Sequence, residues 1–353
     1  MAPDTDPIVI TGMGAVSPLG VGVAANWQAL LDGRSGIVMN DRFDVSDFAA
    51  KIAGLVPKSF DPTSVVDPKD IKKMDLFIQY GLVAAAEALA QSGWVADTAD
   101  KQAVTATIIG TGVGGSPVMA EAVDTIRDKG PRRLSPFTVP SFLANLAAGW
   151  ISIKYGFKGP IGAPVTACAA SAQAIGDGMR LIRTGEADVV VCGGAEGSVD
   201  PISIGGFAAS RALNTSFNDR PTEASRPSDK AHAGFVLSEG AAVVVIERLS
   251  HALARGATPL AIAAGYGTSA DAYHLTSGSP DGAGAQVSMN QAIRNAGLKP
   301  DDIGYVNAHA TSTEVGDNAE INGIRAVFGD RGQTLAVSST KSATGHMLGA
   351  AGA

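Results

Sequence analysis

Three side chains of this 353-residue chain are suited to covalent chemistry on a carbonyl: Cys168, His309 and His346. A thiolate is a nucleophile, and an imidazole N–H can stabilise charge developing on an oxygen. Cys168 lies in Val165-Thr166-Ala167-Cys168-Ala169-Ala170-Ser171, with apolar, extended-looking residues before it and helix formers after it. That pattern predicts a strand handing over to a helix at Cys168. Free N–H groups and the helix dipole at such a junction lower a thiol's pKa, so Cys168 is the expected nucleophile. His309 follows the apolar run 303–307, and His346 closes the stretch after the short run 335–337. Sites in open α/β sheets gather at the carboxyl ends of strands. Three reactive residues, each just past an apolar strand, therefore point to one shared site. His232, His251 and His274 lack that placement and read as surface residues. Cys192 lies inside an apolar strand and reads as inert core.

Other chemistries fit less well. The histidines are far apart in sequence, there is no His-Glu-x-x-His, and the cysteines lack ligand spacing, so no metal site is expected. A serine hydrolase would carry Gly-x-Ser-x-Gly, whereas this elbow has Cys flanked by Ala. Gly110-Thr111-Gly112-Val113-Gly114-Gly115 formally contains the G-x-G-x-x-G spacing of a dinucleotide site, with Ser116-Pro117 able to open a helix after it. The preferred reading is that these glycines let the backbone pass close to the Cys168 elbow.

The elements that must position these groups follow from periodicity and breakers. Strands are expected at 8–10, 104–109, 188–192, 240–246, 303–307 and 335–337, and 259–267 begins a further strand-and-loop passage. Helices are expected at 23–31, 70–90, 141–154, 251–255, 281–295 and 317–328, with another leaving the Cys168 elbow. A Gly-rich turn should occupy 11–20, a layer of surface loops 40–69, and a loop 129–140. Strands alternating with helices argue for a parallel-rich α/β fold with helices on both faces.

Composition narrows the function classes. Hydrophobic residues make up 45%, charged residues 17%, and there are 43 glycines. Mean hydropathy is +0.15. These values predict a large core with tight turns rather than disorder. Net charge is -7, which argues against nucleic-acid binding unless basic groups cluster locally. Two cysteines exclude a disulfide framework and fit a reducing compartment. No apolar run approaches a membrane span, and the first six residues have no signal-peptide character, so a soluble cytoplasmic protein is expected.

Taken together, the motifs carry a resemblance. Val9-Ile10-Thr11-Gly12-Met13-Gly14, Thr166-Ala167-Cys168, Val306-Asn307-Ala308-His309-Ala310-Thr311-Ser312-Thr313 and Ser338-Ser339-Thr340-Lys341-Ser342-Ala343-Thr344-Gly345-His346 resemble the β-ketoacyl-acyl carrier protein synthases of the thiolase superfamily, in their elongating form. The resemblance covers essentially the whole chain, and its Cys-His-His set distinguishes it from initiating synthases. It implies a layered α-β-α-β-α fold of two related halves: 1–256, with insertions and Cys168, and 257–353, with His309 and His346. Family members continue past Ala353 to a final strand pair and a Gly-rich, Phe-containing loop. The second half is therefore expected to be incomplete here, with the acyl gate and one oxyanion donor coming from residues beyond Ala353.

The resemblance implies a 3-oxoacyl-[acyl-carrier-protein] synthase of fatty acid elongation. Cys168 would accept an acyl chain, and malonyl-carrier protein would lose CO₂ to give an enolate held by His309 and His346. Lys341 would be a site lysine with Glu320 as its carboxylate partner, keeping the thiolate favoured and the histidines neutral. Thr311 and Thr313 would bind the phosphopantetheine arm, and Val113 would line the acyl pocket. No cofactor is implied on the enzyme itself, because phosphopantetheine arrives on the carrier-protein substrate. Acyl carrier protein is acidic and so needs a local basic face. Lys69, Lys72 and Lys73, Arg132 and Arg133, and Arg211 are the candidates. A homodimer with 141–154 at the interface is implied. The alternatives are a standalone polyketide-type ketosynthase, a non-catalytic chain-length-setting subunit, and a degradative thiolase, which would need a second cysteine as base.

Overall fold

The structure, a computed structural model, describes residues 6–353. Its strands are β1 (Ile8–Ser17), β2 (Gly20–Val21), β3 (Ile37–Met39), β4 (Ile52–Gly54), β5 (Thr105–Gly110), β6 (Ile161–Gly162), β7 (Val189–Glu196), β8 (Gly240–Arg248), β9 (Ala261–Ile262), β10 (Tyr305–Asn307) and β11 (Ala336–Ser338). Its helices are α1 (Val23–Leu31), α2 (Pro68–Ile71), α3 (Leu76–Ser92), α4 (Ala99–Ala103), α5 (Ser116–Lys129), α6 (Thr138–Phe142), α7 (Leu146–Tyr155), α8 (Ala170–Thr184), α9 (Pro201–Ala209), α10 (Leu249–Ala254), α11 (Ala283–Asn295), α12 (Glu314–Phe328) and α13 (Lys341–Thr344).

The main sheet has the order β2-β1-β8-β7-β5-β6, with β9 also paired to β1. Its centre is β7, whose eight residues are all buried. Side chains alternate across a strand, so β7 feeds two cores. Val189 and Val191 pack with Phe77, Ile78, Leu82 and Ala85 of α3. Val190 and Cys192 pack with Ala174, Met179 and Ile182 of α8. Each fully buried large aliphatic side chain contributes about 1.5–3 kcal/mol, so the two helices are held firmly on opposite faces. Cys192 is completely buried and its thiol is pushed far up, as expected of a core residue.

Several elements differ from the expectation. The sheet is mixed: only β7–β5 and β5–β6 pair in parallel, while β1–β8 and β8–β7 are antiparallel. Residues 197–239 stay near the carboxyl end of β7, so β8 starts opposite Glu196 and runs back. Residues 11–17 are strand, not turn. Gly12 and Gly14 are there because α3 crosses so closely: a Cβ on them would lie 2.0 Å from the Ala88 carbonyl oxygen and 1.9 Å from that of Ala84. The expected helix 70–90 is broken between α2 and α3, and Asp75 caps α3 by accepting from the Phe77 N–H. Gly93 ends α3 in the left-handed conformation, as the breaker predicts. The segment 141–154 is likewise split between α6 and α7. Loop layer 40–69 contains β4, paired to β3.

In the second half, β10 and β11 form a parallel pair. Helices α11 and α12 pack against each other beside it. Ile293, Ile324, Phe328 and Leu335 form their common core. This small unit carries His309 just past β10, and α13 leads from β11 to His346.

Candidate active site

The strand before Cys168 is shorter than expected. After β6 the chain runs without regular structure to a tight turn over Ala167–Ala169, and α8 starts at Ala170. Ala167 has φ of 50°, in the left-handed region that costs a residue with a Cβ about 1 kcal/mol or more. That strain turns the Cys168 side chain out of the helix start and toward the second half. The glycine run after β5 does pass against this elbow. A Cβ on Gly110 would lie 2.6 Å from the Ala170 backbone. On Gly115 it would lie 2.5 Å from the Phe142 backbone. The close approaches that a dinucleotide would need are filled by the chain's own backbone.

The structure brings Cys168, His309 and His346 together. Cys168 Sγ lies 2.9 Å from His346 Nε2. The imidazoles of His309 and His346 meet edge to face at 5.3 Å. On its other side His346 stands against the Phe235 ring, also at 5.3 Å. The His346 backbone is clamped to the strand-like segment beside it, donating to Val236 O and accepting from Ser238 N–H. The ring is packed between Phe235 and His309 with Nε2 toward sulfur, and its Nδ1 is buried without a hydrogen-bond partner.

Glu320 has a different partner from the expected one. Its carboxylate accepts the backbone N–H groups of His309 at 2.7 Å and Ala310 at 2.6 Å. It therefore positions His309 rather than pairing directly with Lys341, whose charge it feels at longer range. Lys341 is buried at the start of α13, and its pKa is lowered by desolvation against the pull of Glu320, Cys168 and Asp317. Asp317 ties the loops together by accepting from the Ser228 and Ser312 N–H groups.

The electrostatics correct one expectation and fit another. Burial pushes the Cys168 thiol up, and the carboxylate of Glu196 adds to this, against the lowering effects of Lys341 and of Cys168's own N–H. The resting residue is a thiol rather than the thiolate that a strand-to-helix junction predicts. Two terms oppose, and in this enclosed site desolvation wins. The imidazoles are neutral. Desolvation and then Lys341 lower His309 to about 4, although part of its surface meets solvent. Desolvation, His309 and Lys341 hold His346 well below the usual range. The donor atoms of Cys168, His309 and His346 lie within 4.8 Å of one another. A soft cation could span that distance, but the Lys341 ammonium acts on all three groups and opposes one.

Thr311 and Thr313 share a hydrogen bond of 3.1 Å between their hydroxyls, past His309. Neither caps α12. Val113 is on the loop between β5 and α5 and is 38% exposed. Among the basic residues, Lys69 pairs with Asp67, and Lys73 pairs with Asp70 while lying over the Phe137 ring. Lys72, Arg132, Arg133 and Arg211 are exposed and carry no ion pair among the described residues. Of the histidines read as surface, His232 is mostly buried, 3.7 Å from Asp317, while His251 is partly exposed, bonding Glu247 and packing on Trp94.

Sequence reasoning missed Glu196 and Phe235. The signal for Glu196 was an acid directly after the apolar run 189–195, which the early end given to that strand left outside it.

Comparison with known proteins agrees with this geometry. Residues 5–252 match the family model described as beta-ketoacyl synthase, N-terminal domain. Residues 260–353 match beta-ketoacyl synthase, C-terminal domain. The 3-oxoacyl-[acyl-carrier-protein] synthase 2 of Rhizobium meliloti (strain 1021) is 47% identical over 352 residues, covering 98% of this chain and 83% of that protein. The protein of the same name from Vibrio harveyi is 48% identical over 346 residues, with the same coverage. A crystal structure of a beta-ketoacyl synthase from Burkholderia phymatum STM815 superposes with a TM-score of 0.90 at 31% identity, covering 99% of this chain and 84% of that one. A ketosynthase in a type II polyketide synthase complex with its acyl-carrier protein superposes at 0.89 and 30% identity, covering 99% and 84%. The layered thiolase-like architecture expected from the motifs is the fold of these structures. On its sequence, its fold and its assembled Cys-His-His set, this chain belongs to the β-ketoacyl synthase family.

Proposed function

We propose that the protein is an acyltransferase that joins an acyl chain to malonyl-carrier protein by decarboxylative Claisen condensation, as a 3-oxoacyl-[acyl-carrier-protein] synthase of fatty acid elongation. The observation that carries this reading is a thiol 2.9 Å from one of two neutral, mutually contacting imidazoles. In the first half-reaction the Cys168 sulfur attacks the thioester carbonyl of acyl-carrier protein. The carrier's sulfur leaves and takes up the proton Cys168 gives away, so no net charge appears. The Cys168 N–H faces the developing oxyanion. The product is a neutral thioester on Cys168.

In the second half-reaction the bond between the malonyl carboxylate and its α-carbon breaks. CO₂ leaves, and the electron pair moves to an enolate whose oxygen bears the charge. Neutral His309 and His346 each offer an N–H donor there. His346 serves as its Nε2–H tautomer, the neutral form with the proton on the nitrogen that faces sulfur. The enolate carbon attacks the acyl-Cys168 carbonyl, the Cys168 sulfur leaves, and one proton from solvent restores the thiol. The positive charge of Lys341 favours both anionic stages.

Most of the curated relatives, 45–48% identical, carry the name 3-oxoacyl-[acyl-carrier-protein] synthase 2, which favours the fatty acid role over a polyketide one. Acyl carrier protein is the partner. Its docking face is assigned to Lys72, Arg132, Arg133 and Arg211, with Lys69 and Lys73 beside it, and Thr311, Thr313 and Val113 are assigned to the pantetheine arm and acyl chain. The reading includes no metal or resident cofactor. It places the enzyme in the cytoplasm. No helix among the described residues is long and apolar enough to cross a membrane. Met119, Val123, Ile126, Leu143 and Ile153 are exposed on α5, α7 and the segment between them, which supports a homodimer through this face. Assay with acyl- and malonyl-carrier protein tests the reading. Release of CO₂ with 3-oxoacyl product supports it, and neither product appearing would refute it.

A further inference from the structure

One carboxylate at the site has no part in the chemistry above. Glu196, the last residue of β7, is completely buried. No cation touches it. Four neutral donors do: Gly112 N–H at 2.7 Å, Gly349 N–H at 3.0 Å, Ser198 Oγ at 2.8 Å and Thr111 Oγ1 at 3.2 Å. The two backbone N–H groups can only donate, so one carboxyl oxygen is fixed as their acceptor. Burial pushes this carboxyl up, against the four hydrogen bonds that lower it.

The three segments it joins enclose the nucleophile. Gly112 belongs to the glycine run that passes Ala170. Gly349 belongs to the turn at 348–350, whose Leu348 packs with Cys168. The next turn along is tied to α8 by the Gly352 N–H on Ser171 Oγ. The approach is so close that a Cβ on Gly349 would lie 2.2 Å from the Gly112 nitrogen. Two backbone N–H groups converge on one carboxylate oxygen, and no other residue type of this reach accepts both as an anion.

We propose that Glu196 is a positioning residue: its carboxyl group clamps the Gly112 loop and the 348–350 turn around the Cys168 elbow. The groups facing Cys168 are then His346 and His309, Lys341 of α13, and Glu196 of β7, with Glu320 and Asp317 acting on Lys341 from α12. The inference rests on Cys168 being the acyl acceptor.

The test varies the reach of the clamp while keeping its bonds. In Glu196→Gln the amide oxygen can still accept from Gly112 and Gly349, while its NH₂ faces two hydroxyls able to accept, so the clamp is kept and acylation of Cys168 should stay within about twofold of the wild type. Glu196→Asp shortens the reach and should slow acylation of Cys168 by about tenfold, a near-attack geometry effect, while alkylation of the same thiol by iodoacetamide stays near the wild-type rate. Wild-type acylation by Glu196→Asp, or acylation by Glu196→Gln as slow as by Glu196→Asp, overturns the clamp. Acylation persisting in Cys168→Ala would sink the functional reading instead.

Discussion

At the scale of single residues, the site works by keeping its groups uncharged until substrate supplies the charge. Two imidazoles with lowered pKa values are poor bases and good neutral donors, which suits an enolate made by decarboxylation rather than by proton removal. His346→Ala removes the group nearest sulfur and one enolate donor. We expect decarboxylation of malonyl-carrier protein to fall by about 10²–10³, with thermal stability nearly unchanged; a loss under fivefold would remove His346 from that role. The pH dependence has a definite sign. His309 titrates near 4 in the folded protein and near 6.5 when unfolded. Activity that needs the neutral ring should therefore persist below pH 6.5 and fall only toward 4. Between those values the unfolded chain binds more protons, so His309 weakens folding as pH falls through that window. An acid limb of the rate profile at 6.5 would contradict the lowered pKa.

At the scale of elements, glycines set how closely the layers approach. Gly110→Ala should drive the end of β5 into the Ala170 backbone and displace the elbow. The expected result is a loss of acylation of at least about 10²-fold, larger than its loss of stability implies, measured by single-turnover transfer to Cys168. Gly12→Ala should instead act on stability, through the clash with α3, with a fall in unfolding free energy of about 2 kcal/mol or more by urea titration. Equal activity and stability in either variant would show that the layers can separate. The contrast explains what was readable from the chain. Apolar runs and breakers located most of the strands and helices, because burial and capping are local in sequence. The run from Gly12 to Ser17 was misread as a turn, since glycine for close packing and glycine for turning have the same letter. The thiol's pKa differs for a related reason: the helix-start effect is local, whereas burial and the opposing Glu196 come from segments distant in sequence.

At the scale of the whole molecule, the site exists only where the two halves meet. Cys168 comes from the first, and His309, Lys341 and His346 from the second. The Cys-His-His set was legible because each member follows an apolar run, although only His309 lies directly past its strand, and the resemblance added Lys341 and Glu320. Glu320's true contact with the His309 backbone was not legible, because hydrogen bonds to main chain leave no residue pattern. A net charge of -7 must still admit an acidic partner. Reversing one exposed, unpaired cation by Lys72→Glu should slow association with acyl carrier protein by about tenfold at low salt, and the difference should shrink as ionic strength rises. A salt-independent effect would place Lys72 outside the docking face.

The central claim is that one thiol accepts the acyl chain and two imidazoles make the carbanion beside it. The most direct measurement uses Cys168→Ala with radiolabelled malonyl- and acyl-carrier protein, following CO₂ release and 3-oxoacyl product together. The account predicts that condensation is abolished while decarboxylation by the intact histidines remains measurable. Condensation proceeding at the wild-type rate without the Cys168 thiol would contradict it.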